Sequence, residues 1–93
     1  MDTLPNLPIK EFKAGRGVKA SIWRHDTQQD GRTFTRYSVR IQKSYRDKAG
    51  DWQNTEFYDR ESLPHIALVI NRAFEFISLK ESQEAPDNNG ASV

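Results

Sequence analysis

The 93-residue sequence contains no cysteine and no hydrophobic run approaching 18 residues. Disulfide bonds, thiolate zinc sites and a cysteine nucleophile are therefore excluded, and nothing in the sequence predicts a membrane span. Residues 1–5 lack the basic and apolar blocks of a secretory signal. A chain of this length forms one small domain, and we expect a cytoplasmic protein without a membrane partner.

Signatures of catalysis and of metal or cofactor binding are also missing. The two histidines, His25 and His65, fall on different predicted elements and have no supporting ligand pattern. Gly15-Arg16-Gly17 is too short for a phosphate-binding glycine loop. No residue stands in a setting that marks an activated nucleophile. We therefore predict a non-catalytic protein with no metal and no cofactor.

The net charge of +1 hides an uneven distribution along the chain. All 14 Lys and Arg residues lie between Lys10 and Lys80, together with nine of the 13 acids, which leaves an excess of five positive charges. The other four acids lie near the two ends. A basic central region favours an acidic partner such as nucleic acid, although an ordinary solvated surface can have the same composition.

Hydrophobic periodicity predicts an α+β domain over residues 9–81, a twisted antiparallel sheet of three to four strands in meander order with one C-terminal helix packed on one face. Residues 1–8 are predicted as a flexible arm, and the polar residues 82–93 as a disordered tail. Residues 26–32, with Asp30-Gly31 at their centre, are predicted as a turn. The predicted strands are residues 18–25, 33–45 and 52–59, with residues 9–13 as the short fourth strand.

The long strand at residues 33–45 has two different faces, because alternate side chains of a strand point to opposite sides. The side predicted to face a core contains Tyr37, Val39 and Ile41. The side predicted to remain open contains Phe34, Arg36, Ser38, Arg40 and Gln42. By the same alternation the neighbouring strands place Lys19, Ser21 and Trp23, and then Trp52, Asn54 and Tyr58, on the open side, whereas Thr55 and Phe57 are predicted to point inward.

A basic surface with interleaved aromatic rings is suited to single-stranded nucleic acid, because unpaired bases stack on rings and Lys and Arg neutralise phosphates. Sequence preference is expected to be slight, because neither interaction reads base edges. The alternative is a protein-interaction module in which the aromatic face and a helix flank both bind protein. The predicted nucleic-acid-binding residues are Lys19, Trp23, Phe34, Arg36, Arg40, Trp52 and Tyr58.

The helix is predicted to begin near Glu61 or Ser62, with Asp59 or Ser62 as its cap. At 100° per residue, one apolar stripe is predicted to pack on the sheet: Leu63, Ile66, Ala67, Ile70, Ala73, Phe74 and Ile77. Leu68, Phe76 and Leu79 form a second apolar group, on the outer flank of the helix, which indicates a contact surface. Since a twofold interface needs only one surface, we predict a homodimer or higher homo-oligomer through Leu68, Phe76 and Leu79. The alternative is that Ile9, Phe12 or a loop of the same chain covers this flank.

One ordered set of residues runs through the second half of the chain: Val39-Arg40-Ile41, Tyr45, Asp47, Gly50, Phe57 and Leu63-Pro64 before an apolar helix. In this order the chain resembles the transcriptional coactivator p15 family, also called positive cofactor four, whose general architecture the plant Whirly proteins share. The resemblance covers roughly residues 12–76. It implies an antiparallel sheet, a C-terminal helix that takes part in dimerisation, and binding of single-stranded DNA by Lys19, Trp23, Arg36 and Arg40.

Two comparisons qualify this resemblance. The family has a basic, glycine-containing strand before the helix, whereas this chain has the acidic residues 54–59. Tyr58 is therefore the one candidate for a DNA contact from that strand. Residues 37–56 are also similar to a segment of bacterial single-stranded-DNA-binding proteins, which adopt an OB barrel. A closed OB barrel needs another strand after the helix. The sequence after Lys80 supplies only a polar tail, so we favour the open sheet.

Overall fold

A computed structural model describes residues 7–84 of the chain. It contains the strands β1 (Lys10–Ala14), β2 (Val18–Gln29), β3 (Arg32–Arg46) and β4 (Trp52–Thr55), then a 3-10 turn (Arg60–Ser62) and the helix α1 (Leu63–Glu84). The strands form one antiparallel sheet in the order β1-β2-β3-β4. The predicted α+β class, the meander order and the single C-terminal helix are confirmed, and β1 supplies the fourth strand.

The two predicted terminal segments lie largely outside the described residues. Of the arm predicted at residues 1–8, only Leu7 and Pro8 are described. The helix continues to Glu84, so residues 82–84 of the predicted tail are helical. Between residues 7 and 84, no helix is long and apolar enough to cross a membrane.

β2 and β3 form a hairpin that is longer than predicted. Their pairing runs without a break from Val18 opposite Lys43 to Gln29 opposite Arg32. Two residues join the strands, Asp30 with φ 55° and Gly31 with φ 76°. Positive φ at both central positions is typical of a type I′ turn, whose twist matches that of the paired strands. The tight turn therefore lets β2 continue four residues beyond its predicted end.

The side chain of Asp47 holds the turn between β3 and β4. Its carboxylate accepts hydrogen bonds from the backbone N–H of Ala49 (3.0 Å) and Asp51 (2.9 Å) and from the side chain of Gln53 (3.0 Å). These bonds, that from Asp51 first, hold the pKa of Asp47 below its ordinary value. The turn fixes the start of β4, where Trp52 pairs with Arg46.

β4 ends at Thr55, so the strand predicted over residues 52–59 is too long. The hydroxyl of Thr55 accepts a hydrogen bond from the backbone N–H of Phe57 at 3.0 Å. Such a local side-chain bond competes with the hydrogen bonds of a sheet and turns the chain away from it. Phe57 was predicted to point inward, and this is wrong, because its side chain is 87% exposed.

Asp59 caps the helical segment. It is one of the two residues that were predicted as alternatives for the cap. Its carboxylate accepts hydrogen bonds from the backbone N–H (3.2 Å) and the hydroxyl (2.6 Å) of Ser62, and it pairs with the Lys43 ammonium at 3.4 Å. The bond from the Ser62 hydroxyl is the main reason that the pKa of Asp59 is lowered, and Lys43 lowers it further. The cap therefore also ties the start of the helix to β3.

The helix packs on β1 and β2 and makes little contact with β3. Its predicted stripe is only partly correct. Ile66 and Ala73 are buried and Ile77 packs against the core, but Leu63, Ala67, Ile70 and Phe74 are exposed. The helix is rotated so that Val69 and Phe76 turn toward the sheet. The described core consists of Val18, Ala20 and Ile22 from β2 with Ile66, Val69 and Ala73 from α1.

Phe76 does not belong to an outer contact surface, contrary to its prediction as an interface residue. Its ring is half-buried and meets the ring of Phe12 edge-on, with 6.1 Å between the centroids. This is the predicted alternative in which Phe12 covers the flank. Leu68 and Leu79 are exposed, as predicted.

Candidate nucleic-acid interface

The sheet face opposite the helix remains uncovered by any element of residues 7–84. Directly paired residues of an antiparallel sheet lie on the same face, and the pairing of all four strands is regular. We call this surface the open face. Its residues are Glu11, Lys13, Lys19, Ser21, Trp23, His25, Thr27, Gln29, Arg32, Phe34, Arg36, Ser38, Arg40, Gln42, Ser44, Arg46, Trp52 and Asn54.

The structure brings six of the seven predicted nucleic-acid-binding residues onto the open face: Lys19, Trp23, Phe34, Arg36, Arg40 and Trp52. The alternation predicted for the long strand therefore holds, with Tyr37, Val39 and Ile41 on the helix side. Arg36 and Arg40 are both exposed rather than covered by other parts of the described chain. The placement was predictable because the β2–β3 pairing contains no bulge that would reverse the alternation.

Tyr58 is the exception, and its predicted outward placement is wrong. It follows the end of β4, packs against the core and donates a hydrogen bond from its hydroxyl to the backbone oxygen of Ile41 at 2.5 Å. Burial raises the pKa of Tyr58, and the charge of Glu56 raises it further. The phenol therefore stays protonated and serves as a structural donor on the helix side of β3.

Three aromatic rings are spread along the open face. Trp52 is 66% exposed, and the guanidinium carbon of Arg46 lies 5.2 Å from its ring centroid. Phe34 is exposed near the hairpin turn, whereas Trp23, which pairs with Ser38, is half-buried. Phe34 and Arg46 are 12 residues apart on β3, a distance of about 41 Å at 3.4 Å per residue. The two exposed rings thus stand at opposite ends of one extended track.

Basic side chains outnumber acidic ones along this track. The open face contains Lys13, Lys19, Arg32, Arg36, Arg40 and Arg46. Two acids face them. Glu11 pairs with Lys19 at 3.5 Å, and Glu56, just after β4, pairs with Arg40 at 3.2 Å. Within the described residues, Arg32 and Arg36 have no carboxylate partner. Since exposed ion pairs contribute only about 0–1 kcal/mol, a phosphate can replace either carboxylate.

The sequence analysis placed Trp52 at the end of the track beyond Gln42 but missed the basic residues Arg16 and Arg46 there. A cleft of about 560 Å³ lies there, lined by Arg16, Gly17, Lys43, Ser44, Tyr45, Arg46 and Trp52. It forms because the turn between β1 and β2 reaches β3, where the backbone N–H of Ser44 donates to the oxygen of Gly17 at 2.9 Å. Continued alternation from Arg40 would have included Arg46. The approach of Arg16 depends on tertiary contact and leaves no signal in the sequence.

The groups assembled on the open face determine what it can hold. Its exposed rings can stack on planar groups, and its guanidinium and ammonium groups can pair with phosphates. His25 lies in the middle of the face, with Nε2 2.9 Å from the Ser38 hydroxyl. Among residues 7–84, no cluster of three histidine, aspartate or glutamate side chains is arranged to hold a metal ion.

Comparison with known proteins assigns no relationship to this chain. No protein-family model matches it, and neither a curated protein nor a solved structure is significantly similar to it.

Proposed function

We propose that the protein binds single-stranded nucleic acid, with single-stranded DNA favoured, along the open face and without catalysing a reaction. The observation that carries this proposal is the composition of one continuous track on β3. Phe34, Arg36, Arg40 and Arg46 follow one another on the same side, and Trp52 adjoins the far end. A strand that served only to pack a core would need no such outer side.

Stacking supplies the first part of the binding energy. The exposed rings of Trp52 and Phe34 each offer a flat face to a base, and a stacked base contributes about 1–3 kcal/mol. Trp23 is half-buried, so less of its ring is accessible to a base. Duplex DNA keeps its base faces stacked inside the helix, and we therefore expect single strands to bind more tightly than duplex of the same length.

Charge supplies the second part. The exposed Arg36, which has no carboxylate partner among residues 7–84, stands between Phe34 and Arg40 in the middle of the track. A backbone that crosses it would release counterions, so that the logarithm of the binding constant falls by about 0.7 per phosphate contact for each tenfold rise in salt. Because neither stacking nor phosphate pairing reads base edges, the proposal includes little sequence preference.

The experiment is a titration of a fluorescent 20-nucleotide oligo(dT) at several salt concentrations. We expect binding at low salt that weakens steeply as salt rises. Arg36→Ala should weaken binding and make the salt slope shallower by about 0.7. Arg72→Ala is the matched control, because it removes the same charge from an exposed position on α1. The proposal fails if oligo(dT) does not bind at low salt, or if both substitutions have the same effect.

A protein-interaction module is the second candidate, favoured by the exposed Ile70 and Phe74 of α1. Absence of oligonucleotide binding at low salt would support it.

We also propose that the protein is a homo-oligomer. The described chain buries only six apolar side chains, whereas twelve large ones are at least 40% exposed. The cytoplasmic location stays a prediction from the sequence.

A further inference from the structure

The cleft beside Trp52 lies where the track ends. Arg46 and Trp52 are the last directly paired residues of β3 and β4, and the turn held by Asp47 follows at once. The lining of the cleft also includes Lys43 and Tyr45, which alternate with the open-face residues of β3 and so point to the helix side. A strand of nucleic acid that follows the track therefore reaches the edge of the sheet at this cleft.

The cleft has the size of a site for a small molecule. Its volume of about 560 Å³ falls within the range of about 300–1,000 Å³ that such sites occupy. One wall is backbone, because the turn between β1 and β2 is joined to β3 by the hydrogen bond from the Ser44 N–H to the Gly17 oxygen. A single nucleotide, with its planar base and its phosphate, is a ligand of suitable size and chemistry.

Three basic side chains and no acidic one line the cleft. They are Arg16, Lys43 and Arg46. Lys43 is already paired with Asp59 at 3.4 Å. Arg16 and Arg46 are exposed, and neither has a carboxylate partner among residues 7–84. Two guanidinium groups from different elements therefore line one cleft without an anion, and guanidinium groups are well suited to pair with phosphate.

A second, smaller cavity adjoins the cleft at the contact between Gly17 and Ser44. Its volume is about 230 Å³, and it is lined by Lys13 and Lys19. These two lysines are directly paired across β1 and β2, an arrangement of like charges that is destabilising. The carboxylate of Glu11 pairs with Lys19 alone. Positive charge is therefore concentrated around this end of the track.

The cleft also offers a stacking surface and a backbone donor. Trp52 is 66% exposed, with the Arg46 guanidinium carbon 5.2 Å from its ring centroid, so a base can stack on the opposite face of the ring. Backbone groups alternate along a strand, so the N–H of Arg46 points to the same edge as that of Ser44. β2 begins at Val18, opposite Lys43, and does not extend to Arg46. The described residues supply no acceptor for this N–H, and a phosphate can accept from it.

We propose that the cleft holds the terminal nucleotide of a bound strand, with its terminal phosphate against Arg16 and its base on Trp52. This inference rests on the proposed binding of single strands along the open face. A terminal phosphate monoester has a charge of about −1.5 to −2 at neutral pH, whereas each internal phosphate has a single negative charge. The concentration of basic groups at this end of the track therefore favours a terminal phosphate over an internal one.

The test compares three oligo(dT) octamers, which have no terminal phosphate, a 5′-phosphate or a 3′-phosphate. Each competes at low salt with an internally labelled strand. A strand that lies along the track in one direction brings only one of its ends to the cleft. One phosphorylated octamer, and not both, should therefore bind about tenfold more tightly than the unphosphorylated octamer, which is the effect of one charge-assisted hydrogen bond.

Two substitutions separate the cleft from the rest of the track. Arg16→Ala should remove the preference for the phosphorylated octamer. Arg36→Ala, in the middle of the track, should weaken the binding of all three octamers by the same factor and leave the preference unchanged. Arg72→Ala is the matched control for loss of one exposed arginine, and it should change neither the preference nor the affinities.

Each outcome decides the inference. If the unphosphorylated octamer does not bind at low salt, the proposed function fails and this inference fails with it. If the octamers bind, then equal affinity of all three, an equal gain from both phosphates or a preference that survives Arg16→Ala overturns the inference alone. Arg16 lies in an exposed turn. If circular dichroism shows that Arg16→Ala does not fold, Arg16→Gln takes its place with the same expected result.

Discussion

Gly17 is the position at which a single methyl group should most directly disturb the candidate site. Its φ is +81°, a conformation that strains an L-residue by about 1–2 kcal/mol. A Cβ there would also overlap the backbone oxygen of Ser44 and lie 3.1 Å from the Ser44 nitrogen. Relief requires the two backbones to separate, which breaks the Ser44-to-Gly17 hydrogen bond, a contribution of about 1 kcal/mol. Gly17→Ala should therefore destabilise the fold by about 2–3 kcal/mol.

Gly50→Ala is the matched control. Gly50 has a similar positive φ of +89°, but a Cβ there would meet nothing within 4 Å. Only the strain of about 1–2 kcal/mol applies. In a domain of this size each kcal/mol lowers Tm by about 4–8 °C, so Gly17→Ala should unfold roughly 8–24 °C below the wild type. Gly50→Ala should unfold about 4–8 °C closer to the wild type than Gly17→Ala does, because it breaks no comparable hydrogen bond.

The assay is thermal unfolding followed by circular dichroism. All three proteins are measured at one concentration, because Tm of an oligomer depends on concentration. Equal Tm values for the two variants would refute the reasoning, since the close contact between Gly17 and β3 would then have no energetic weight. The same samples, titrated with oligo(dT) below their Tm, report whether the Arg46–Trp52 end of the track loses binding with Gly17→Ala.

Two further predictions follow from exposed residues. Trp52→Ala should change Tm little, because the ring is mostly exposed, yet weaken oligo(dT) binding by about 1–3 kcal/mol; an unchanged affinity would remove Trp52 from the site. The folded-state pKa values of Asp47 and Asp59 are lowered by hydrogen bonds, so their stabilisation is complete above the unfolded pKa of about 3.9 and is lost as pH falls through the folded values. The difference in Tm between the wild type and Asp59→Ala should accordingly be greatest above pH 5 and shrink in more acidic buffer; a difference independent of pH would contradict this.

The faces of β3 could be predicted because side-chain alternation is a local property of extended chain. Once residues 33–45 form a strand, Arg36 and Arg40 must lie opposite Val39 and Ile41. The Asp30-Gly31 turn and the Asp59 cap were likewise predictable, because each is determined by a few neighbouring residues. The extension of the hairpin through residues 26–29 was missed, because those polar residues are stabilised by pairing with β3 rather than by a hydrophobic pattern.

The rotation of the helix could not be predicted in the same way. α1 is apolar around more than half of its circumference, so periodicity indicates two adjoining apolar stripes. It does not determine which of the two packs on the sheet. Contact with Phe12 turns Phe76 and Val69 inward, and Leu63, Ile70 and Phe74 are left outside. Tyr58 was misplaced for a related reason. The hydroxyl of Thr55 ends β4 early. Residues 56–59 are therefore not part of a strand, and side-chain alternation does not predict their directions.

Residue spacing alone was enough to predict a meander with one helix and a strand β3 with one cationic and one apolar side, because backbone geometry relates spacing directly to side-chain direction. Contacts between distant parts of the chain, by contrast, establish which helix flank is buried, bring the turn at Gly17 against β3, and leave Leu63, Ile70 and Phe74 of the helix exposed. These features depend on which surfaces meet across long separations in sequence, where volume and contact, rather than periodicity, select the arrangement.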